Sequence, residues 1–254
     1  MDKEIITRNF SRYAHLYDKY ADVQKMAALE ILSQIDGNNF NKVLEIGCGT
    51  GNYTMLLRKR FKTARITALD ISAKMVEVAQ NKLKDKDIEF IVGDGESGYL
   101  PDSHYDLITS NACFQWFGDL EAALRKYRVF LKKGGSILFS IFGPLTFWEL
   151  NAALGSALGD APIAASNFID KNDIVRIIGN NFKELKINEL KYEESFGSLL
   201  ELLNKIKYTG IRGNGLGNKT SLGPRHLKEI EKAYLNKFRQ IKATYQVFSC
   251  GGMA

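Results

Sequence analysis

The chain has 254 residues, 45% hydrophobic and 25% charged, a composition typical of a globular protein with a sizeable core. No apolar run approaches the roughly 18 residues of a membrane span, and the first residues lack the apolar core of a signal peptide. Cys48, Cys113 and Cys250 are odd in number and have no metal-ligand spacing, so we expect neither disulfides nor a metal site. A reducing cytoplasm is the location that we expect.

The net charge of +6 is unevenly distributed along the chain. Residues 182–254 contain 13 Lys plus Arg against 7 Asp plus Glu, whereas the rest of the chain has 22 of each sign. Such an excess of positive charge can attract an acidic partner, and a solvated lysine-rich surface explains it equally well. No nucleic-acid-binding motif accompanies it and no apolar run is long enough to span a membrane, so we expect neither a nucleic acid nor a membrane as a partner.

Apolar residues recur at helical spacing near the start of the chain, which predicts helices over 3–20 and 22–35. Strand-like and helix-like segments then alternate, and this alternation predicts a parallel sheet with helices on both faces. The predicted strands are 42–47, 65–70, 88–92, 105–109 and 135–141, and the predicted helices between them are 52–61, 73–83 and 119–131. Gly134 and Gly135 are interpreted as a helix stop before the fifth strand.

The pattern changes after Gly143 and Pro144. Helices are predicted over 145–158, 170–180, 196–207 and 224–238, and strands over 183–192 and 241–248. About fifty residues separate these two strands, too many for a tight turn. The intervening helices and the glycine-rich stretch from Gly210 are interpreted as a cap over a substrate pocket. We therefore expect an N-terminal helical lid over 1–35, a cofactor-binding core over 36–143, and remaining core strands with the cap over 144–254.

Three alternating glycines follow the first predicted strand. Gly47, Gly49 and Gly51 permit a tight turn and a close approach of a ligand to the backbone. A helix begins just after this turn, so its free amide groups face the ligand. The dinucleotide-binding fingerprint has its third glycine one position later, where this chain has Asn52.

Acidic residues follow the next two predicted strands. Asp70 comes at the end of the second strand, where a carboxylate can accept hydrogen bonds from both hydroxyls of a ribose. It could equally cap the helix that starts near Ser72. Asp94 follows the third strand, where an acid can accept a hydrogen bond from an adenine amino group. Because the carboxyl ends of parallel strands meet at one edge of a sheet, we expect a nucleoside cofactor there.

The segment from Glu45 to Gly51, together with Asp70 and Gly93-Asp94, resembles the three cofactor motifs of the class I S-adenosylmethionine-dependent methyltransferases. The resemblance implies an α/β fold with a Rossmann-like, doubly wound, mostly parallel seven-stranded sheet and an antiparallel C-terminal edge. It also implies S-adenosyl-L-methionine as the cofactor, with Ile71 and Met75 against the adenine. The cofactor-binding residues that we expect are Tyr17, Glu45, Gly47, Cys48, Gly49, Gly51, Asp70, Ile71, Met75, Asp94, Gly95, Glu96 and Asn111.

Three further stretches narrow the resemblance. They are Phe10-x-Arg12-x-Ala14-x-x-Tyr17-Asp18-x-x-Ala21-x-x-Gln24, Ser110-Asn111-Ala112-Cys113-Phe114-Gln115-Trp116, and the segment 203–210 with the glycine-rich stretch after it. These stretches resemble the malonyl-[acyl-carrier protein] O-methyltransferase family, which starts pimelate assembly in biotin synthesis. Methyltransferases of the trans-aconitate type share parts of this pattern. The resemblance implies methylation of the free carboxylate of a malonyl group held on acyl-carrier protein or coenzyme A, by a chain that we expect to be a monomer. Ile211 and Arg212 depart from the family pattern in the cap.

A carboxylate substrate is ionised at neutral pH, since its reference pKa is about 4. It can attack a sulfonium methyl group without a general base, so no catalytic acid or base is assigned. We expect Tyr17, Asn111, Gln115 and Trp116 to position the reactants, although packing in a helix core explains Tyr17 equally well. The expected substrate-binding residues are Arg12, Gln115, Trp116, Lys207 and Arg212, and surface exposure is the simpler explanation of each cation.

An acidic carrier protein would give the basic C-terminal segment a function. Lys228, Lys232, Lys237 and Arg239 are candidate contacts for it, by electrostatic steering that weakens as salt rises. Two alternatives stay open at this stage: a methyltransferase for another small carboxylic acid, such as an aconitate, and a non-catalytic nucleotide-binding module.

Overall fold

A computed structural model describes residues 2–37, 40–101, 104–159, 163–210 and 223–254. The strands are β1 (Lys42–Ile46), β2 (Arg65–Asp70), β3 (Ile88–Val92), β4 (Tyr105–Asn111), β5 (Leu131–Phe142), β6 (Lys183–Phe196) and β7 (Ile241–Met253). They form one seven-stranded sheet in the order β3-β2-β1-β4-β5-β7-β6. Strands β1 to β5 are mutually parallel, and β7 runs antiparallel between β5 and β6. The predicted fold class is confirmed.

Helices pack on both faces of this sheet. They are α1 (Lys3–Tyr20), α2 (Asp22–Ser33), α3 (Asn52–Arg60), α4 (Ala73–Lys82), α5 (Leu120–Phe130), α6 (Trp148–Leu158), α7 (Lys171–Asn181), α8 (Leu199–Tyr208) and α9 (Pro224–Phe238). The central strand β1 is buried at four successive positions, as expected for a parallel strand covered on both faces. None of the helices within the described residues is long and apolar enough to cross a bilayer.

The interpretation of Gly134 and Gly135 as a helix stop was wrong. Helix α5 already ends at Phe130, and both glycines lie inside β5. Strand pairing with β4 jumps from Leu131 to Ser136, so the residues between them form a bulge in which Gly134 has φ +77°. A bulge places extra residues on one strand, and glycine adopts the required backbone conformation readily.

The last two strands are longer than predicted. Strand β6 continues to Phe196 and β7 to Met253, and α8 therefore begins only at Leu199. The two strands pair along nearly their whole length, from Lys183 opposite Met253 to Phe196 opposite Ile241. Backbone pairing with a neighbour extends each strand beyond the segment in which its own side chains alternate.

Helix α1 lies over the carboxyl edge of the parallel strands. Asp2 caps it by accepting from the backbone N–H groups of Glu4 and Ile5. The helix packs mainly against α4 and α8. This position makes α1 one wall of the space above the strand ends.

Candidate active site

The turn after β1 is fixed by its backbone. The N–H groups of Gly47 and Cys48 both donate to the carbonyl of Leu69, at 2.7 and 3.0 Å, which ties the turn to the end of β2. Gly47 has φ +74°, and a Cβ atom there would lie 2.4 Å from the sulfur of Cys113. Only glycine fits this position without a shift of the neighbouring chain.

The carboxylate of Asp70 joins this turn to the start of α4. It accepts from the N–H of Gly49 at 2.9 Å and from the N–H of Ser72 at 2.8 Å. The hydroxyl of Ser72 caps α4 by accepting from the N–H of Met75. Enclosure at this edge raises the pKa of Asp70, and the two backbone donors oppose that rise. Asp70 is thus held rigidly with its side chain in the cavity above.

A cavity with about 730 Å³ of empty space, part of it open to solvent, lies between the strand ends and α1. Helix α1 contributes one cation, one tyrosine and two apolar side chains. The parallel strands and the segments that follow them contribute the rest. The lining residues are Lys3, Ile6, Phe10, Tyr17, Ile46, Gly47, Gly49, Leu69, Asp70, Ile71, Met75, Asp94, Gly95, Asn111, Ala112, Cys113, Trp116 and Phe117.

A smaller cavity of about 340 Å³ shares Tyr17, Gly47, Gly49 and Asn111 with the large one. Glu45 and Gln24 line it, and both are buried. Neither carboxylate oxygen of Glu45 has a hydrogen-bond partner among the described residues, and the same holds for the side-chain oxygen of Gln24. Unpaired buried acceptors are costly, so this cavity is built for a ligand that donates hydrogen bonds.

The ionisation of Glu45 responds to this enclosure. Burial raises its pKa to about 8, the neighbouring hydroxyl of Thr54 opposes this rise, and the nearby Asp70 adds to it. The carboxyl is therefore largely protonated at neutral pH in the absence of a cation. A bound ammonium group would favour its charged form.

Asp94 lies at the other end of the large cavity, beside the N-terminus of α1. Lys3 donates to it at 2.7 Å and forms an ion pair with Glu96 at 2.6 Å. Burial alone would raise the pKa of Asp94, but the hydrogen bonds from Lys3 and Ser97 hold it below its ordinary value. Asp94 is a charged acceptor at neutral pH.

Aromatic rings form the wall between the two ends. Phe10 lies 6.3 Å from Tyr17 and 6.0 Å from Trp116 between ring centroids, and Trp116 meets Phe168 edge-on at 5.5 Å. These spacings are typical of edge-to-face and tilted aromatic pairs. The result is an apolar wall beside the tips of β1 and β4.

Most of the expected cofactor residues meet at these two cavities. Tyr17, Gly47, Gly49, Asp70, Ile71, Met75, Asp94, Gly95 and Asn111 line the large cavity, and Glu45 and Cys48 line the small one. Gly51 does not line either cavity, and a Cβ atom there would point at Ala79 of α4 and at Leu83 directly after that helix. Glu96 does not line either cavity, but its backbone N–H donates to Asp94 and its carboxylate pairs with Lys3.

The expected substrate residues are less concentrated. Trp116 lines the large cavity, whereas Gln115 borders a separate groove and donates to the carbonyl of Ala112. Arg12 and Lys207 lie over the ring of Tyr13, and neither lines the cavity. Arg212 lies outside the described residues. Asn111 is also engaged, since its amide donates to the carbonyl of Gln24 and accepts from Ser140.

Sequence reasoning missed several lining residues, among them Lys3, Ala112 and Cys113. Ala112 has φ +51°, an uncommon conformation for a residue with a side chain, and it directly follows β4, three residues beyond the predicted end of that strand. Its position at a strand end could have identified it. Lys3 meets Asp94 across 91 positions of sequence, and no local pattern indicates that contact.

The cysteines of the site are poor nucleophiles. Burial raises the pKa of Cys48 and of Cys113 well above the ordinary value, so both thiols are neutral at pH 7. Among the described residues, no three His, Cys, Asp or Glu side chains are grouped so that they could hold a metal ion. The two thiols are therefore suited to contacting a bound ligand and not to attacking it.

The sheet order, the glycine turn and the acids at successive strand ends together define a class I methyltransferase. A family profile described as "Methyltransferase domain" matches residues 43–135. The fold is similar to that of the YcgJ protein of Bacillus subtilis, with a TM-score of 0.64, 16% identity and coverage of 90% of this chain and 97% of that one.

Similarity to curated proteins is much closer. A malonyl-[acyl-carrier protein] O-methyltransferase of Priestia megaterium is 44% identical over 264 residues, covering 96% of this chain and 95% of the relative. Malonyl-[acyl-carrier protein] O-methyltransferase 1 of Ilyobacter polytropus is 39% identical over 242 residues, covering 94% and 88%. The chain belongs to the malonyl-[acyl-carrier protein] O-methyltransferase family. The predictions of a methyltransferase and of S-adenosylmethionine as its cofactor are confirmed.

Proposed function

We propose that this protein transfers a methyl group from S-adenosylmethionine to the free carboxylate of malonyl-acyl carrier protein, giving the methyl ester that begins pimelate assembly. The similarity to the curated relatives extends over nearly the whole chain and supports this substrate. The observation that carries the proposal is the arrangement of unpaired or charged acceptors at successive strand ends, beside an apolar wall.

The acceptors match the donors of the cofactor one by one. Glu45, with Gln24, would accept from the ammonium group, because both are buried and unpaired among the described residues. Asp70 would accept from the ribose hydroxyls, and Asp94 from the adenine amino group. Met75 is buried beside them, so it would supply an apolar surface for the adenine ring.

Bound at this edge, the cofactor supplies an electrophilic methyl group on a sulfonium. The ionised malonyl carboxylate forms the new C–O bond as the S–C bond breaks, and no proton moves. The chain therefore needs no general base, and its task is to align the two reactants at about 3 Å. Phe10, Trp116 and Phe117 would exclude water from the reacting atoms, which favours a step in which opposite charges are neutralised.

The carboxylate of the substrate would meet few cations inside the cavity. Lys3 is the one Lys or Arg among the described lining residues, and Asp94 and Glu96 already neutralise it. A carboxylate without a tight cation partner keeps its charge on oxygen and remains nucleophilic. The aromatic wall therefore suits the acid better than an arginine clamp would.

The test is methyl transfer from labelled S-adenosylmethionine to malonyl-acyl carrier protein, malonyl-coenzyme A and trans-aconitate in parallel. We expect base-labile label on the malonyl carrier protein with the highest kcat/KM. Preferred labelling of trans-aconitate would show that the substrate is a different carboxylic acid. A thermal shift with S-adenosylhomocysteine but no transfer to any acid would favour a binding module, and a shift with NAD alone would contradict the cofactor assignment.

A further inference from the structure

The outer face of α1 carries a basic stripe. Arg8, Arg12, His15 and Lys19 are all exposed, and their spacing places them on one side of the helix. The opposite side of α1 contributes Lys3, Ile6, Phe10 and Tyr17 to the large cavity. The stripe therefore lies on the outside of the wall whose inside faces the reactants.

The charges of this stripe are not neutralised within the described part of the chain. No described carboxylate forms an ion pair with Arg8, Arg12 or Lys19, and Glu4, which is exposed one turn before Arg8, is the acidic residue at the start of the stripe. Exposed cations on other helices do have such partners, as in the pairs Lys25–Asp22 of α2, Lys74–Glu77 of α4 and Arg176–Glu121 between α7 and α5. Unpaired charges of one sign create a local potential that attracts an oppositely charged partner.

Aromatic rings connect the stripe to α8. Tyr208 lies 5.3 Å from Tyr13 and 4.8 Å from Tyr20 between ring centroids. Lys207 lies over the rings of Tyr13 and Tyr208, at 5.5 and 5.3 Å. Tyrosines beside unpaired cations are the residue types that protein interfaces favour.

The end of α8 also reaches the cavity wall. A Cβ atom on Gly210 would lie 2.5 Å from the ring of Phe10, and Phe10 lines the cavity. The junction of α1 and α8 thus joins the cationic outer surface to the apolar wall inside. A substrate group delivered at this junction would have a short path to the reacting position.

We propose that the outer face of α1, with Lys207 of α8, is the docking surface for the acidic carrier protein. This proposal rests on the proposed function, since it assigns the surface that receives the carrier-bound substrate. Charge complementarity and the position on the cavity wall both support it. A carrier protein bound to the outer face of α1 would lie next to the junction of α1 and α8, where Phe10 borders the cavity.

Helix α9 is the competing basic surface. Lys228 and Lys232 are exposed there and have no described ion-pair partner. This helix, however, packs mainly against α6, and none of its residues is among those that line the large cavity. A carrier bound to α9 would not be guided to the wall that borders the reactants.

The experiment compares two charge-matched double variants, Arg8→Gln/Lys19→Gln on α1 and Lys228→Gln/Lys232→Gln on α9. Each is assayed with malonyl-acyl carrier protein and with malonyl-N-acetylcysteamine, a short thioester without a carrier. Titration of carrier protein onto each variant at low and high salt gives its Kd directly. The Kd for S-adenosylhomocysteine reports whether α1 still closes normally over the cofactor site.

We expect the α1 variant to lose on the order of tenfold in carrier affinity and in kcat/KM for the carrier-bound substrate at low salt, with a smaller loss at high salt. Its activity on the short thioester and its S-adenosylhomocysteine affinity should match the wild type, as should every property of the α9 variant. Equal losses for the two variants, losses of the α1 variant that also affect the short thioester, or no loss at all would overturn the proposal. A wild-type protein that binds carrier through α1 yet methylates no malonyl thioester would refute the proposed function alone.

Discussion

The floor and the lid of the cavity are held in different ways. The floor is the glycine turn, in which the N–H groups of Gly47 and Cys48 donate to the backbone of Leu69. These contacts do not depend on side chains, and positive φ angles leave little choice of residue. The floor is therefore fixed by the backbone itself.

Side chains hold the lid, helix α1. Lys3 binds the turn after β3, the hydroxyl of Ser11 meets that of Ser72 at 2.8 Å, and Asp18 accepts from the start of α3 and from Lys82. Several of these contacts are partly exposed, so water and salt compete with them. The comparison teaches that changes in the floor should cause the larger losses of stability or affinity, whereas changes in the lid should mainly alter the rate at which the cofactor product dissociates.

The largest expected effect is that of Gly47→Ala. An alanine at this position would have to adopt φ +74°, and its Cβ would overlap Cys113. We therefore expect a loss of about 3 kcal/mol in unfolding free energy. Gly49→Ala is the matched control, since its φ is +53° but no described atom lies within 4 Å of its Cβ; about 1 kcal/mol is expected. Urea denaturation measures both. Equal losses would show that the overlap with Cys113 is relieved cheaply.

Glu45→Gln should come next, by weakening S-adenosylhomocysteine binding roughly 30-fold or more, because a buried charged acceptor is replaced by a neutral amide. Titration calorimetry measures the Kd. Glu149→Gln is the control, since Glu149 is equally buried but bonds to Thr244 away from the cavity. That variant should lose stability and keep its affinity. A normal Kd for Glu45→Gln would remove Glu45 from the site.

The raised pKa of Glu45 predicts a pH dependence. Since the pKa is about 8 in the free protein, an ammonium ligand displaces the proton, and affinity should improve as pH rises from 6 to 8. The folded chain also holds this proton more tightly than the unfolded chain does. The Glu45 contribution to stability is therefore greatest below its unfolded pKa and is lost as pH rises through about 8. Calorimetry in buffers of different ionisation heat should show proton release that Glu45→Gln lacks.

A smaller effect is expected for Asp18→Asn, which removes a charge that accepts from Thr50, Asn52 and Lys82. We expect S-adenosylhomocysteine to dissociate about five times faster, because the C-terminal end of the lid opens more often. Asp106→Asn is the control at the opposite edge of the sheet. Asp106 likewise accepts from three donors, including Lys132, but is remote from the cavity. Stopped-flow dissociation that is unchanged in Asp18→Asn would show that α1 does not gate the site.

Lys3→Met should have the smallest effect. The Lys3 side chain and its partner Asp94 are 34% and 25% exposed, so their ion pair contributes only about 0.5–1 kcal/mol. We expect a two- to fourfold faster dissociation of S-adenosylhomocysteine in low salt that disappears in high salt. Lys74→Met, which breaks an exposed pair with Glu77 on α4, is the control. A salt-independent effect would assign Lys3 a packing role.

The floor could be predicted from the sequence, because its determinants are local. The turn needs glycines at fixed spacing because of its backbone geometry. Acids at the ends of predicted strands, such as Asp70, converge on this turn once the strands are parallel. The same reasoning failed at Gly134 and Gly135. These glycines were expected to end a helix, but they form a bulge within β5. A local sequence pattern cannot distinguish a helix end from a β-bulge, because both use glycine.

The sequence by itself determined the fold class, the edge of the sheet that binds the cofactor, and the family. The periodicity of the hydrophobic residues and the short motifs encode these features directly. Only the tertiary structure decided that Lys3 meets Asp94, that Gln24 joins Glu45 as an unpaired acceptor, and that Arg12 lies outside the cavity. These facts depend on how helix α1 and its neighbours pack against the sheet. Contacts between residues far apart in the chain follow from packing, which no local pattern of residues specifies.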